Sequence, residues 1–424
     1  MGNLDYTQVL NKIENTRRFG NEPGVVVTAQ VIKVLREKGK QKRIIPYIHV
    51  AGTNGKGSVC AFFSSILKKE HMRVGTFVSP HLVDFEERIT VDGRMIPKED
   101  VTRLGNYLLD IDFGIGLTMF DYCLAMALLY FEEQQCDYMV IETGLGGRLD
   151  STNAIGTPQC AVITKIGYDH MAILGSDIAD IAAEKAGIIK ENGTVVVEQQ
   201  DKRAMQVIEQ EAQKKHARII TVEQSDIARC SGYALRLCGT FQWENAAAAE
   251  LAARYVLGKR YGGPEYEMQN DKTEPKREGT DLNKRIKSAL EEAVWPGRME
   301  IVSKEPFLLV DGAHNSNGVD ALKESLMQMY PGEKFCFFMG VMADKDYDVM
   351  IREILPLAEE FYTVTPDSDR ALQASHLADF IRKEGVEATE LSGVDEIRKH
   401  LKRDTKNVAF GSLYFIGELK QHRI

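Results

Sequence analysis

One short stretch, Ile44 to Leu67, constrains this 424-residue chain more than any other. Ile44, Ile45, Tyr47, Ile48 and Val50 make an apolar run of strand length. Gly52-Thr53-Asn54-Gly55-Lys56-Gly57-Ser58 follows, a loop with three glycines, one lysine and a closing hydroxyl. Beyond it Val59, Phe62, Phe63, Ile66 and Leu67 recur at helical spacing and give the next helix an apolar face. A glycine loop between strand and helix aims backbone N–H groups and the positive helix end at an anion. Lysine neutralises phosphate charge, and Ser58 stands where a hydroxyl can hold magnesium. The spacing departs from the standard phosphate loop, because Gly57 separates the lysine from the hydroxyl residue. Strand, loop and helix together predict a nucleoside triphosphate site.

A chain of this length exceeds one ordinary core, so two or more domains are expected. A net charge of −9 argues against a dedicated nucleic-acid surface. The seven cysteines are scattered, without CxxC spacing, which suits reduced core thiols better than disulfides or zinc. No run approaches the ~20 apolar residues of a membrane span. The expectation is a cytoplasmic monomer with small-molecule substrates and neither nucleic-acid nor membrane partners.

Residues 4–40 read as helical with a break near Gly20–Gly24, where Thr16-Arg17-Arg18-Phe19-Gly20 forms a basic loop. Strands are predicted at Val74–Val78, Met139–Ile141, Ala161–Ile166 and Val195–Val197, with an apolar helix over 118–133. The strand ends carry polar groups: Ser79-Pro80-His81-Leu82, Glu142 with Gly144-Leu145-Gly146-Gly147-Arg148-Leu149-Asp150, and Asp169-His170. That is where α/β sheets place ligands. A helix is predicted from Ser176, as its N-cap, to a stop at Gly187. Within it Ile178, Ile181, Ala182 and Lys185 share one apolar stripe, so Lys185 faces inward. Paired with an inward carboxylate or chemically modified, such a lysine escapes the cost of a bare buried charge.

An alanine-rich helix around Asn245 occupies Gly239–Val256, and 258–285 then reads as a flexible surface insertion. Trp295-Pro296-Gly297-Arg298 is a natural linker. A second α/β unit opens near Asp311-Gly312-Ala313-His314-Asn315, with strands at 307–311, 334–340, 361–365, 387–391 and 407–411. The expected architecture is α/β. An N-terminal, mainly parallel phosphate-loop ATPase domain (1–296) precedes a smaller Rossmann-like domain (297–424).

These motifs, in this order, make the chain resemble the folylpolyglutamate synthase/dihydrofolate synthase family of the Mur ligase superfamily, from about residue 5 to 420. The resemblance implies an ATP-dependent amide ligase that adds L-glutamate to a folate-type acceptor through an acyl phosphate. It implies ATP contacts from Thr53, Asn54, Gly55, Lys56, Gly57, Ser58, Asn245, Arg298, Asp311 and His314. Ser79 and Glu142 would hold one Mg²⁺, and His170 with a carbamylated Lys185 would help to hold a second. Lys56, Lys185 and His170 become the catalytic candidates, and Pro80, His81, Leu82 and Phe120 the folate contacts. The chain departs from the family at Phe241, where histidine is common, and at Ser316, where proline is. A Mur-type ligase with another acceptor, or a nucleotide-dependent switch, remains the rival reading.

Overall fold

The computed structural model describes residues 3–16, 20–260 and 277–424. They divide into two compact units, one of residues 1–234 with 244–293, the other of 235–243 with 294–424. The division is therefore not a single cut in the chain. Residues 235–243 join the C-terminal unit, where the Thr240 N–H donates to Ser325 Oγ at 3.0 Å.

Among its described residues the N-terminal unit is built on eight strands: β1 (Tyr47–Ala51), β2 (Val74–Phe77), β3 (Ile89–Val91), β4 (Arg94–Met95), β5 (Tyr138–Glu142), β6 (Cys160–Ile163), β7 (Thr194–Val197) and β8 (Arg218–Thr221). They lie in the order β4-β3-β2-β5-β1-β6-β7-β8. Among the described residues of this sheet, only the β2–β3 and β3–β4 pairs are antiparallel. β1, β2, β5, β6 and β7 are buried along their whole length, because helices cover both faces and every side chain must be apolar or paired. From β1 the chain crosses to β2, and from its neighbour β5 it crosses to β6 on the other side. Adjacent strands whose connections diverge open a crevice at their carboxyl ends.

The C-terminal unit carries β9 (Glu300–Lys304), β10 (Phe307–Val310), β11 (Phe335–Met339), β12 (Ala358–Thr363), β13 (Ala388–Glu390) and β14 (Lys406–Phe410), in the order β13-β12-β11-β14-β10-β9. Phe335, Phe337, Phe361 and Phe410 are fully buried, and Phe337 stacks on Phe361 with centroids 5.2 Å apart. Antiparallel β9, short β8 and the β3–β4 hairpin lie outside the sequence expectation. Each sits on or next to a sheet edge, where half-exposed strands lose the continuous apolar signature.

The expected insertion needs correction. Residues 261–276 lie outside the described residues, as do Arg17, Arg18 and Phe19 of the basic loop. Helix Phe241–Arg260 runs past 258, however, and Arg277–Glu292 is also helical. Ile286, Ala289, Leu290 and Ala293 fall at i, i+3, i+4 and i+7 and are buried. Ser65 Oγ donates to the Ala289 carbonyl at 2.7 Å, and Arg285 pairs with Glu70 at 2.7 Å, tying this helix to Lys56–Lys69 and the residue that caps it. The polar composition of 277–285 hid the first part of a one-sided helix. No helix among the described residues is long and apolar enough to cross a membrane.

Candidate active site

The loop after β1 is held by its neighbours on every side. Helix Lys56–Lys69 is capped by Gly55 in the left-handed region at φ 91°. A Cβ at Gly55 would lie 2.3 Å from Asn245 Oδ1, and one at Gly52 would lie 1.8 Å from the Thr164 hydroxyl. Glycine is thus required at both positions for backbone approach. The Thr53 N–H donates to the Lys165 carbonyl at 2.9 Å, and Thr164 Oγ1 donates to the Asn54 carbonyl at 2.6 Å. Lys56, at the first helical position, donates to the Gly52 and Thr53 carbonyls, each at 3.2 Å. Gly57 follows it half-buried, and Ser58 is buried in the same turn.

Glu142 ends β5 beside this lysine. The residue is 4 % exposed, with Oε1 3.9 Å from Lys56 Nζ and Oε2 accepting the Ser79 N–H at 3.2 Å. β2 and β5 pair directly, which is why Ser79 and Glu142 meet. A buried carboxylate beside a serine offers the hard oxygen donors that magnesium prefers. Among the described residues no group of three or more His, Cys, Asp or Glu is gathered for a metal. Magnesium commonly completes its shell with phosphate and water oxygens, so a sparse protein set is compatible with it.

Lys185 faces inward, as its helical stripe requires. The helix spans Ile178–Ala186 and is capped by Asp177 rather than Ser176, through a bond from the Ala179 N–H at 2.8 Å. Lys185 is 4 % exposed, and its Nζ donates to the Gly52 carbonyl at 2.8 Å. Burial, and then the charge of Lys56, push its pKa down to about 7. His170 instead occupies an exposed left-handed turn at φ 52°, with Nε2 4.0 Å from Asp169 Oδ1.

The Ser79–Leu82 loop is shaped from within. Leu82 N–H donates to Glu87 at 2.7 Å, while Pro80 stays exposed. Arg88 Nε donates to His81 Nδ1 at 2.8 Å, so the neutral ring carries its proton on Nε2. Burial, then Arg88, push the His81 pKa down to about 4. Phe120 packs edge-on against Phe77 at 5.4 Å and closes over Gly144, where a Cβ would lie 2.6 Å from its ring. The candidate folate residues thus stand at the ends of β2 and β5. In the C-terminal unit, Asp311 accepts the Met299 and Ala313 N–H groups at 2.8 and 2.7 Å. The Arg298 guanidinium lies against Gly312, and His314 Nδ1 is 2.7 Å from the Gly312 carbonyl.

A buried polar network escaped the sequence reading. Asp121 accepts the Ser151 and Thr118 hydroxyls at 2.6 and 2.7 Å, and Asp150 accepts the Leu145 N–H at 2.8 Å and the Thr152 hydroxyl. His49 Nε2 lies 2.7 Å from that Thr152 oxygen. Its position in an apolar strand left no signal, since alternation alone cannot mark a paired histidine. Burial, then Lys190, push the His49 pKa to about 3 from an ordinary 6.5. The unfolded histidine therefore takes up a proton as pH falls below 6.5 while the folded one does not, so stability is lost through that window. The denaturant midpoint of His49→Gln, followed from pH 7 to 4, should fall less steeply than that of the wild type. An equal slope would assign the acid loss to other groups.

Comparison with known proteins identifies the family. The Mur ligase middle domain matches residues 50–253, and the Mur ligase glutamate ligase domain matches 297–410. A Bacillus subtilis dihydrofolate synthase/folylpolyglutamate synthase is 33% identical, over 98% of both chains. A Lacticaseibacillus casei folylpolyglutamate synthase is 30% identical over 87% of both. Among solved structures, Mycobacterium tuberculosis folylpolyglutamate synthase complexed with ADP and AMPPCP superposes with a TM-score of 0.83 at 25% identity, covering 99% of this chain and 98% of that one. E. coli FolC in complex with DHPP and ADP gives 0.80 at 26%, covering 99% and 97%.

Proposed function

The chain belongs to the folylpolyglutamate synthase/dihydrofolate synthase family of Mur ligases, and on that premise we propose how its residues join L-glutamate to a folate-type acceptor. It is an ATP-dependent carboxylate–amine ligase. The observation that carries the residue assignment is Lys56, a cation at a helix N-terminus, fixed by two loop carbonyls and 3.9 Å from Glu142.

The chemistry explains why such a group is needed. An acceptor carboxylate oxygen attacks the γ-phosphorus of ATP, and the bond to the β-phosphate oxygen breaks, leaving an acyl phosphate and ADP. The glutamate nitrogen then attacks the acyl carbon. Its C–O bond to phosphate breaks, and the amine loses a proton. Two anions must meet in the first step, so positive charge between them lowers the barrier. Lys56 and the N–H groups of Gly55 to Ser58 serve the phosphates, with Thr53 and Asn54 shaping the loop through their bonds to the Lys165 carbonyl and Asn245 against Gly55 keeping it in place. Arg298, Asp311 and His314 serve ATP from the C-terminal unit, which acts as the glutamate-ligase domain.

Ser79, Glu142 and His170 would hold magnesium, which when bound neutralises phosphate charge. A carbamylated Lys185 would add a negative oxygen donor. Its amine, with a pKa near 7, is substantially neutral at physiological pH and able to form an N–C bond to CO₂ with loss of one proton. Pro80, His81, Leu82 and Phe120 face the folate, and His81 offers it an Nε2–H donor. The protein works as a cytoplasmic monomer on small molecules alone, a reading that the net charge of −9 supports with respect to nucleic acid.

Phosphate release from ATP should require both L-glutamate and a dihydropteroate or reduced folate. Initial rates on dihydropteroate and tetrahydrofolate, measured side by side, identify the acceptor. Release with neither substrate present, or with a partner protein alone, would instead establish a nucleotide switch.

A further inference from the structure

One buried carboxyl group in the N-terminal unit has no role in the scheme above. Glu198 follows the last residue of β7 and is 1 % exposed. Its own N–H extends the ladder, donating to the Ile163 carbonyl at 3.0 Å. Its Oε2 accepts the Lys165 N–H at 2.7 Å, while Oε1 is buried without a hydrogen-bond partner. A polar oxygen left like that costs stability, which a packing residue such as leucine would not.

What Glu198 holds is the loop that holds the phosphate loop. The Lys165 carbonyl, one peptide unit along, accepts the N–H groups of Thr53 at 2.9 Å and Asn54 at 3.3 Å. Thr53 Oγ1 meets the Gly167 carbonyl at 3.0 Å, and Thr164 reaches Asn54. From the far side Gln200 accepts the Ile166 N–H at 2.9 Å and donates to the Thr164 carbonyl at 3.0 Å. Residues 164–167 are thus clamped between the end of β7 and the phosphate loop. We propose that Glu198 is a positioning residue for nucleotide binding, fixing the Lys165 peptide and through it the Thr53 and Asn54 backbone.

The role needs an acceptor oxygen, not a charge. Burial, and then the charge of Glu244, raise its pKa well above the ordinary glutamate value. The bond to Lys165 needs only a carbonyl-type acceptor, which an amide supplies equally well. A charge at this position is not part of the role.

This inference rests on the phosphate-loop assignment, and the test separates the two. Dissociation of ADP is measured for the intact wild-type protein, Glu198→Gln and Glu198→Met, together with KM for ATP, glutamate and the folate acceptor. Glu198→Gln should match the wild type within about twofold. Glu198→Met, which keeps the volume and loses the acceptor, should weaken ADP binding and raise KM for ATP about tenfold or more, because small misplacements in a reacting site are costly. The other two KM values should stay within about twofold. A protein merely loosened by the change would lose active fraction without this selective shift. If Glu198→Met fails to fold, a Glu198→Gln variant with tenfold weaker ADP binding overturns the idea by itself. Unchanged ADP affinity in Glu198→Met, or an equal rise in all three KM values, overturns it too. A wild-type protein that binds no ADP would instead remove the phosphate-loop reading itself.

Discussion

Lys56→Ala should reduce ligation by at least about a thousandfold in kcat/KM, the scale on which a charge-stabilising cation acts in phosphoryl transfer. The protein should stay folded. The lysine is only half-buried, its partners are two backbone carbonyls and Glu142, and none of the apolar contacts of helix Lys56–Lys69 passes through its ammonium. Circular dichroism and the unfolding midpoint of the variant should therefore follow the wild type closely. Removing Lys56 also removes like charge from Lys185, whose pKa should rise as a result. Ligation at the wild-type rate in a folded Lys56→Ala protein would falsify the phosphate-loop assignment.

The second large effect is expected at Lys185. Lys185→Ala should lose activity about 10²–10³-fold, as when an electrostatic group at a reacting site is deleted. Short carboxylates added to this variant, or the substitution Lys185→Glu, should restore part of that activity, because each returns an anion to the same buried position. The proposed modification has a direct signature. Wild-type protein supplied with ¹³C-labelled bicarbonate should show a carbamate carbon signal that is absent from Lys185→Ala. The pH dependence follows from the depressed pKa. Below about 7 the amine is protonated and cannot react, so the carbamate signal should fade as pH drops. An unmodified lysine in a map of the protein with ATP and two magnesium ions bound would defeat carbamylation. So would an absent labelled signal at pH 8.

Much of the fold and part of the site are legible in the sequence itself. The strand–loop–helix at 44–67 is a local code: an apolar run, glycines where backbone must approach, then apolar residues at helical period. The same periodicity places Lys185 on the inward stripe of its helix, and β10 and β11 of the second unit stand out as short apolar runs. These signals survive in sequence because each depends on neighbours within a turn or a strand.

Tertiary structure decided the rest. Whether Lys185 meets a carboxylate or something else is beyond periodicity; the fold sets it against the Gly52 carbonyl, a residue 133 positions away in the chain. The His49–Thr152–Asp150 contacts and the Glu198–Lys165 clamp join strands and loops that are adjacent only once the sheet is assembled. A buried polar residue looks like any other polar residue until its partner is known. The helix at Arg277–Glu292 shows the converse: its small and apolar residues gain meaning only against helix Lys56–Lys69, more than 200 residues earlier. Sequence determines which groups seek burial and at what spacing; long-range pairing determines which of them find a partner.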